Sequence, residues 1–265
     1  HIISNIKLDS NLHHTDIKIA TLNNQTVALV GLNNGNLLIF SINDGKIISN
    51  INISNNSITT FTIKNESVFI LDTENVLFKL NLVDYEHEVI NNLSEFVNQQ
   101  SINNITALDD KFLISTQSVK LIDITNNSTI HEYPGHLNAI KEMKVIKKTD
   151  SESIFYSFSD NDNIVNFCNS NEDNKLVLVL SCNENVKQLN YISVNNEEII
   201  TIVTQNGNLE IFINPFTESA SSDNKRRKKN KINKKSTLQI KFQQFDNDLK
   251  IAYCQNLKEN NLRLL

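Results

Sequence analysis

Eight cations fall within eleven residues near the end of this chain: Lys225, Arg226, Arg227, Lys228, Lys229, Lys231, Lys234 and Lys235, with no acid among them. Such a cluster can serve as a nuclear-import signal, as a clamp on nucleic-acid phosphates, or as a solvated loop of no specific role. Each phosphate contact gains affinity by releasing counterions, so RNA held this way is lost steeply as salt rises. The tract has no aromatic neighbour for base stacking, so any RNA it holds is read with little sequence preference. The rest of the chain carries 17 basic residues against 30 acidic ones, an acidic body bearing one concentrated basic segment. The preceding Glu218-Ser-Ala-Ser-Ser-Asp-Asn224 is small and polar, and residues 216–236 are expected to form a disordered basic insertion loop.

Other residues with chemical potential lead less far. His13 and His14 are adjacent, and on a strand adjacent side chains point to opposite faces, so they cannot chelate one metal together. Asp109-Asp110 and Glu197-Glu198 are carboxylate pairs at expected hairpin turns, where water surrounds them. No Gly-x-Ser-x-Gly, His-Glu-x-x-His, Walker-type or EF-hand pattern occurs. With five glycines in all, a phosphate-cradling loop is not expected. Cys168, Cys182 and Cys254 are odd in number and lack a Cys-x-x-Cys spacing, which argues against a disulfide framework or a zinc site and fits a reducing compartment. The chain is therefore read as a non-enzyme with no metal and no cofactor.

The elements that would carry these residues repeat. A strand-like segment returns as Asn36-Leu-Leu-Ile-Phe40, Asn75-Val-Leu-Phe-Lys79, Ser118-Val-Lys-Leu-Ile122, Asn163-Ile-Val-Asn-Phe167 and Asn208-Leu-Glu-Ile-Phe212, at steps of 39, 43, 45 and 45 residues. A period of about 40–45 residues is that of WD-repeat β-propellers, in which each unit is one four-stranded blade. A single blade cannot bury both faces, so the repeat predicts one all-β propeller domain over residues 1–265. The first unit is the clearest, with strands at 16–20, 25–31, 36–41 and 46–51. Its turns, Asn33-Asn-Gly35 and Asn43-Asp-Gly45, are strong hairpin signals because Gly takes positive φ freely. Blades two to five follow over 58–90, 102–133, 139–180 and 186–213. The basic tract links the third strand of the fifth to a strand at Thr237, and residues 237–242 with 249–253 read as the opening of a sixth. The expected count is six blades, or seven with one cut away at the N-terminus.

The fourth blade carries a candidate structural lock. In WD repeats the His of a Gly-His pair bonds a turn Asp and reaches a Ser or Thr and a strand Trp. Here His136, Asp160 (or Asn161), Ser157 and Phe167 are read in those places. Phe cannot donate the indole hydrogen bond, so this lock is incomplete. Asp123 keeps the acid of the Trp-Asp pair in the third blade, and Lys79 stands where an aromatic would be.

Composition agrees with this fold. Hydrophobic residues make up 39%, mainly the β-branched and aliphatic types that suit pleated strands, with two Pro and no Trp. Asn is over-used, often in pairs between apolar runs, where turns belong. Asn-x-Ser/Thr triplets in such a chain arise by chance. No apolar run approaches the ~18 residues of a membrane span, and the first residues lack the layout of a signal peptide.

Taken together, the blades resemble a family of WD-repeat nucleolar proteins of the small-subunit processome, called small nucleolar RNA-associated protein 5 in fungi and WD-repeat-containing protein 43 in animals. The resemblance is carried by Ala28-Leu-Val-Gly31 through Asp44-Gly-Lys46, Phe112-Leu-Ile-Ser115 through Ile122-Asp123, Tyr133-Pro-Gly-His136, and Ser157 to Phe167. Its most specific part is the order Gly207-Asn-Leu-Glu-Ile-Phe212, a Lys-rich loop, Ser236-Thr-Leu-Gln-Ile240 and Leu249-Lys-Ile-Ala-Tyr253. It implies a scaffold subunit of the UtpA (t-UTP) subcomplex in the nucleolus, acting in pre-ribosomal RNA transcription and early processing. The implied partners are sister UtpA WD-repeat subunits and the 5′ external transcribed spacer of pre-ribosomal RNA, with no membrane and no small-molecule substrate. It also implies a helical assembly domain beyond residue 265. The alternative is a WD-repeat adaptor that binds peptides in another nuclear or cytoplasmic complex.

Overall fold

The computed structural model describes residues 10–22, 24–148, 153–170, 175–194, 197–213, 215–216 and 237–240. The described residues form two compact units, His1–Leu180 and Ser181–Leu265. The first holds four sheets. Blade 1 is β1 (His14–Leu22), β2 (Gln25–Leu32), β3 (Asn36–Ser41) and β4 (Ile47–Asn52). Blade 2 is β5 (Ile58–Lys64), β6 (Ser67–Asp72), β7 (Val76–Asn81) and β8 (His87–Asn92). Blade 3 is β9 (Asn104–Leu108), β10 (Lys111–Ser115), β11 (Val119–Asp123) and β12 (Ser128–Tyr133). Blade 4 is β13 (Ile140–Lys148), β14 (Ser153–Ser159), β15 (Ile164–Asn169) and β16 (Lys175–Ser181). In each sheet the strands lie in chain order.

Alternation builds the core, because successive residues of a strand face opposite ways. On blade 1, Leu29, Leu37 and Ile39 pack with Ile58, Phe61, Val68 and Ile70 of blade 2. Leu71 and Leu77 of blade 2 turn the other way and meet Phe112, Ile114 and Ile122 of blade 3. The intervening Leu113 and Leu121 join Tyr133, Met143, Phe155 and Cys168 toward blade 4. A 3₁₀ turn at Leu93–Val97, which sequence periodicity does not announce, buries Leu93, Phe96 and Val97 in the blade 2–blade 3 layer.

Turns use part of the Asn content. Among the described residues, nine that are not Gly have positive φ, and six of them are Asn: Asn24, Asn65, Asn75, Asn98, Asn127 and Asn161. Asn tolerates the left-handed region because its short amide bonds locally. Gly35 is different in kind. Its φ is +82°, and a Cβ there would lie 1.9 Å from the Ser54 carbonyl oxygen, so no side chain fits.

Polar side chains also tie the innermost strands. Asp16 on β1 accepts from Thr60 Oγ1 at 3.0 Å and from the Phe61 N–H at 3.1 Å on β5. Thr62 Oγ1 accepts from the Ala107 N–H on β9 at 3.3 Å, and Asn104 Nδ2 donates to the Ile140 carbonyl at 3.2 Å.

The second unit holds blade 5: β17 (Val186–Val194), β18 (Glu197–Thr204), β19 (Leu209–Ile213) and β20 (Thr237–Ile240). Here the structure corrects the sequence reading. Thr237–Ile240 pairs with β19, Leu209 opposite Ile240 and Phe212 opposite Thr237, and so completes the fifth blade instead of opening a sixth. A lone strand after a long insertion has no local mark of which sheet it joins; pairing decides it. The described residues therefore form five four-stranded blades, not six or seven. Residues 249–253 lie outside them.

Candidate functional site

In blades 1, 2, 4 and 5 the loop that enters the blade and the turn between its second and third strands meet at one end of the sheet, and polar side chains join them. In blade 4, His136 Nδ1 lies 2.8 Å from Asp162 Oδ2 and His136 Nε2 lies 3.0 Å from Ser157 Oγ. A carboxylate only accepts, so in the neutral ring Nδ1 donates to Asp162 and Nε2 accepts from the Ser157 hydroxyl. Asp162 is held in place because its Oδ1 accepts from the Ile164 N–H at 3.1 Å.

Two members of the sequence-predicted lock stand elsewhere. Asp160 does not face the ring; it pairs with Lys141 Nζ at 2.7 Å on the surface. Asn161 at φ 60° turns the chain, and the acid that comes back toward the imidazole is Asp162. Phe167 lies on the opposite face of β15, against Tyr156 with ring centroids 6.1 Å apart. The register sets Asn166 opposite Ser157, and Asn166 Nδ2 sits 3.4 Å from His136 Nε2. Counting to the aromatic residue thus overshoots the facing position by one, which reverses the side chain.

Ser157, His136 and Asp162 have the connectivity of a hydrolase triad. Their surroundings give them another role. Ser157 is 1% exposed and the His136 side chain 1%, so no substrate atom can reach the hydroxyl. Both imidazole nitrogens are already engaged, and the three groups act as a tie.

Blade 2 makes the corresponding tie without histidine. Ser54 stands four residues before β5, as His136 stands four before β13. Ser54 Oγ donates to Asp72 Oδ2 at 2.8 Å, and Asn56 Nδ2 adds a bond at 3.3 Å. The other oxygen of Asp72 accepts from the Glu74 and Val76 N–H groups at 3.0 and 2.9 Å. Blade 5 uses Glu184, which accepts from Thr204 Oγ1 at 2.8 Å and Asn208 Nδ2 at 3.0 Å. Hydrogen bonds from Asn206 and Thr204 hold its carboxyl below the usual range. Blade 1 uses Asn33, which accepts from the His13 N–H and donates to the Asn11 carbonyl, each at 3.0 Å. Sequence reading missed these three. The available signal was positional: a polar residue in the loop before a first strand, matched by an acid or amide at the next turn.

The remaining candidates are dispersed. A shallow cleft of about 270 Å³ on blade 2 is lined by Ser67, Lys79, Asn81, Asp84, Glu86, His87 and Glu88. Lys79 thus faces a polar surface, which accounts for a cation in that place. Among the described residues no group of three His, Cys, Asp or Glu is arranged to hold a metal. Cys168 and Cys182 are buried, and burial pushes each thiol up to about 12, so neither is a ready nucleophile. The cations Lys225, Arg226, Arg227, Lys228, Lys229, Lys231, Lys234 and Lys235 lie outside the described residues. They fall in the connection between β19 and β20.

No protein-family model matches the chain. U3 small nucleolar RNA-associated protein 5 of Saccharomyces cerevisiae is 26% identical over 191 residues. That similarity takes in 70% of this chain and 27% of the yeast protein, so the chain spans about a quarter of its relative's length. A chain in the crystal structure of a mitotic checkpoint complex superimposes with a TM-score of 0.61 at 13% identity, over 77% of this chain and 62% of that one. The computationally designed protein Ika8 gives 0.54 at 14% identity, over 76% and 59%. These structural likenesses show the fold, an all-β propeller of four-stranded blades.

Proposed function

We propose that the chain is a non-catalytic scaffold of the small-subunit processome, acting in the nucleolus in pre-ribosomal RNA transcription and early processing toward the small subunit. The observation that carries this reading is the similarity to the yeast U3 small nucleolar RNA-associated protein, which takes in 70% of this chain. The physical character of the site supports it. Among the described residues the Ser157-His136-Asp162 arrangement is sealed and structural, which suits a molecule that works through its surfaces and loops. An acidic body with a single basic segment suits a subunit that meets protein partners through its blades and RNA phosphate through the tract. The partners on this reading are sister UtpA WD-repeat subunits and the 5′ external transcribed spacer.

The test is purification of the tagged full-length protein from growing cells in moderate salt, with the co-purifying proteins identified by mass spectrometry. The reading expects other WD-repeat subunits of the processome in near-equal amounts and a nucleolar position of the tagged protein. Recovery with an unrelated cytoplasmic complex, and no nucleolar signal, would replace it with the peptide-adaptor reading.

A further inference from the structure

An outer strand of a blade has one edge with unpaired backbone N–H and C=O groups, and native proteins usually blunt it with charge, Pro or polar interruptions. Three outer strands here follow that rule. β4 reads Ile-Ile-Ser-Asn-Ile-Asn, β8 begins His-Glu and ends Asn-Asn, and β12 carries His131 and Glu132. β16 does not. It reads Lys-Leu-Val-Leu-Val-Leu-Ser, with five consecutive apolar residues and no polar one between Lys175 and Ser181. Among the described residues it stands at the end of its sheet, with no strand on its free edge. Leu176 is 40% exposed and Val177 36%, and these neighbours point to opposite faces, so both faces of the strand reach water.

The order of residues selects the occupant. Leu176-Val-Leu-Val-Leu180 reads the same in both directions. In an antiparallel pair of two such strands centred on Leu178, Leu176 lies opposite Leu180 of the other copy, Val177 opposite Val179, and Leu178 opposite itself. Lys175 falls across from Ser181, so no like charges oppose each other. Each face then carries matched cross-strand apolar pairs, the unit of sheet stabilisation. A two-fold axis through Leu178 closes the contact at two copies and consumes both free edges.

We propose that two copies of this chain associate through β16, pairing antiparallel in the register that sets Leu178 against Leu178 and joining two blades 4 into one continuous eight-stranded sheet. An edge-to-edge contact of seven residues is small, so the association is reversible and depends on concentration.

The experiment uses the 265-residue chain with Cys254→Ser, which leaves only the two buried cysteines. In the paired register residue 178 faces its own copy with Cα atoms about 4.5–5.5 Å apart, inside disulfide range. Residue 177 lies well outside that range of its copy. Under mild oxidation Leu178→Cys is expected to give a covalent dimer, and Val177→Cys to give none. Sedimentation of the parent chain is expected to show a monomer–dimer equilibrium. Val177→Lys should abolish that dimer with an unchanged melting temperature, because the exposed position tolerates the cation in the monomer. The proposal is overturned by a parent chain that stays monomeric at every concentration, or by a dimer that survives Val177→Lys. Equal crosslinking at 177 and 178, or open-ended aggregation, would also overturn it. In cells, crosslinking of Leu178→Cys to a different protein would assign the edge to that partner instead.

Discussion

Blade 4 ties its entering loop to its β14–β15 turn through an imidazole, and blade 2 ties the same two places through a carboxylate that reaches a serine and an asparagine. Ser54 and His136 hold the same register position, four residues before the first strand of their blades. The acids do not. Asp72 is the last residue of β6, whereas Asp162 stands within the turn, two residues before β15. Histidine is long and spans from the loop to a distant turn acid. Serine is short, so the acid must move back to the strand end to meet it. What is kept is the work of the acid: one oxygen caps the N–H groups that open the third strand, and the other holds the loop. A blade thus tolerates loss of its signature letters when loop and turn change together.

The largest expected effect is at Asp72, which is 1% exposed and satisfies four donors. Asp72→Ala strands buried N–H and O–H groups and should cost about 4 kcal/mol in equilibrium denaturation, the sum of several unsatisfied partners. His136→Ala removes the bonds to Asp162 and Ser157 and the longer one to Asn166, leaves a carboxylate with fewer donors, and should cost about 2 kcal/mol by the same logic. If His136→Ala proves more damaging than Asp72→Ala, the serine-based tie is not the equal of the histidine-based one.

A third test concerns the residue just past the register shift in the first strands of blades 1, 2 and 4: Asp16, Thr60 and Glu142. Glu142 hydrogen-bonds with the Tyr156 hydroxyl, and burial raises its carboxyl above the ordinary value of 4.5. The unfolded chain therefore loses this proton first as pH rises. Stability falls from the unfolded pKa upward until the folded carboxyl has also ionised. Glu142→Gln should flatten that decline, while Thr60→Val in blade 2 should leave it intact; a Glu142→Gln variant with the parent's pH profile would contradict the assignment. The smallest effect is at Asp160. Its pair with Lys141 is exposed, and Asp160→Ala should shift stability by no more than about 0.5 kcal/mol. A loss as large as that of His136→Ala would return Asp160 to the lock.

The period and alternation of the sequence carried the fold a long way, because a blade repeats the same apolar pattern whatever its turns contain. Asn36–Ser41 stands as a strand within the limits its flanking turns predict. What stayed hidden depends on pairing across sheets. Thr237–Ile240 has strand character in isolation, yet only hydrogen bonding to β19 makes it the end of a blade. The lock shows the same limit at single-residue scale: one step from Asn166 to Phe167 reverses the face, and two from Asp160 to Asp162 cross a turn. The Ser54–Asp72 and Glu184–Thr204 ties use common polar residues at uncommon positions, so no letter pattern marks them.

On the proposed reading this chain is a scaffold that meets nascent ribosomal RNA. That reading is tested most directly by crosslinking the tagged full-length protein to RNA in growing cells and sequencing what is bound, beside a variant with the eight cations at 225–235 replaced by Gln or Ser. The reads are expected to concentrate in the 5′ leader of the ribosomal precursor and to be much reduced in the variant, with melting temperature unchanged. Scattered or absent reads from the parent protein would contradict it.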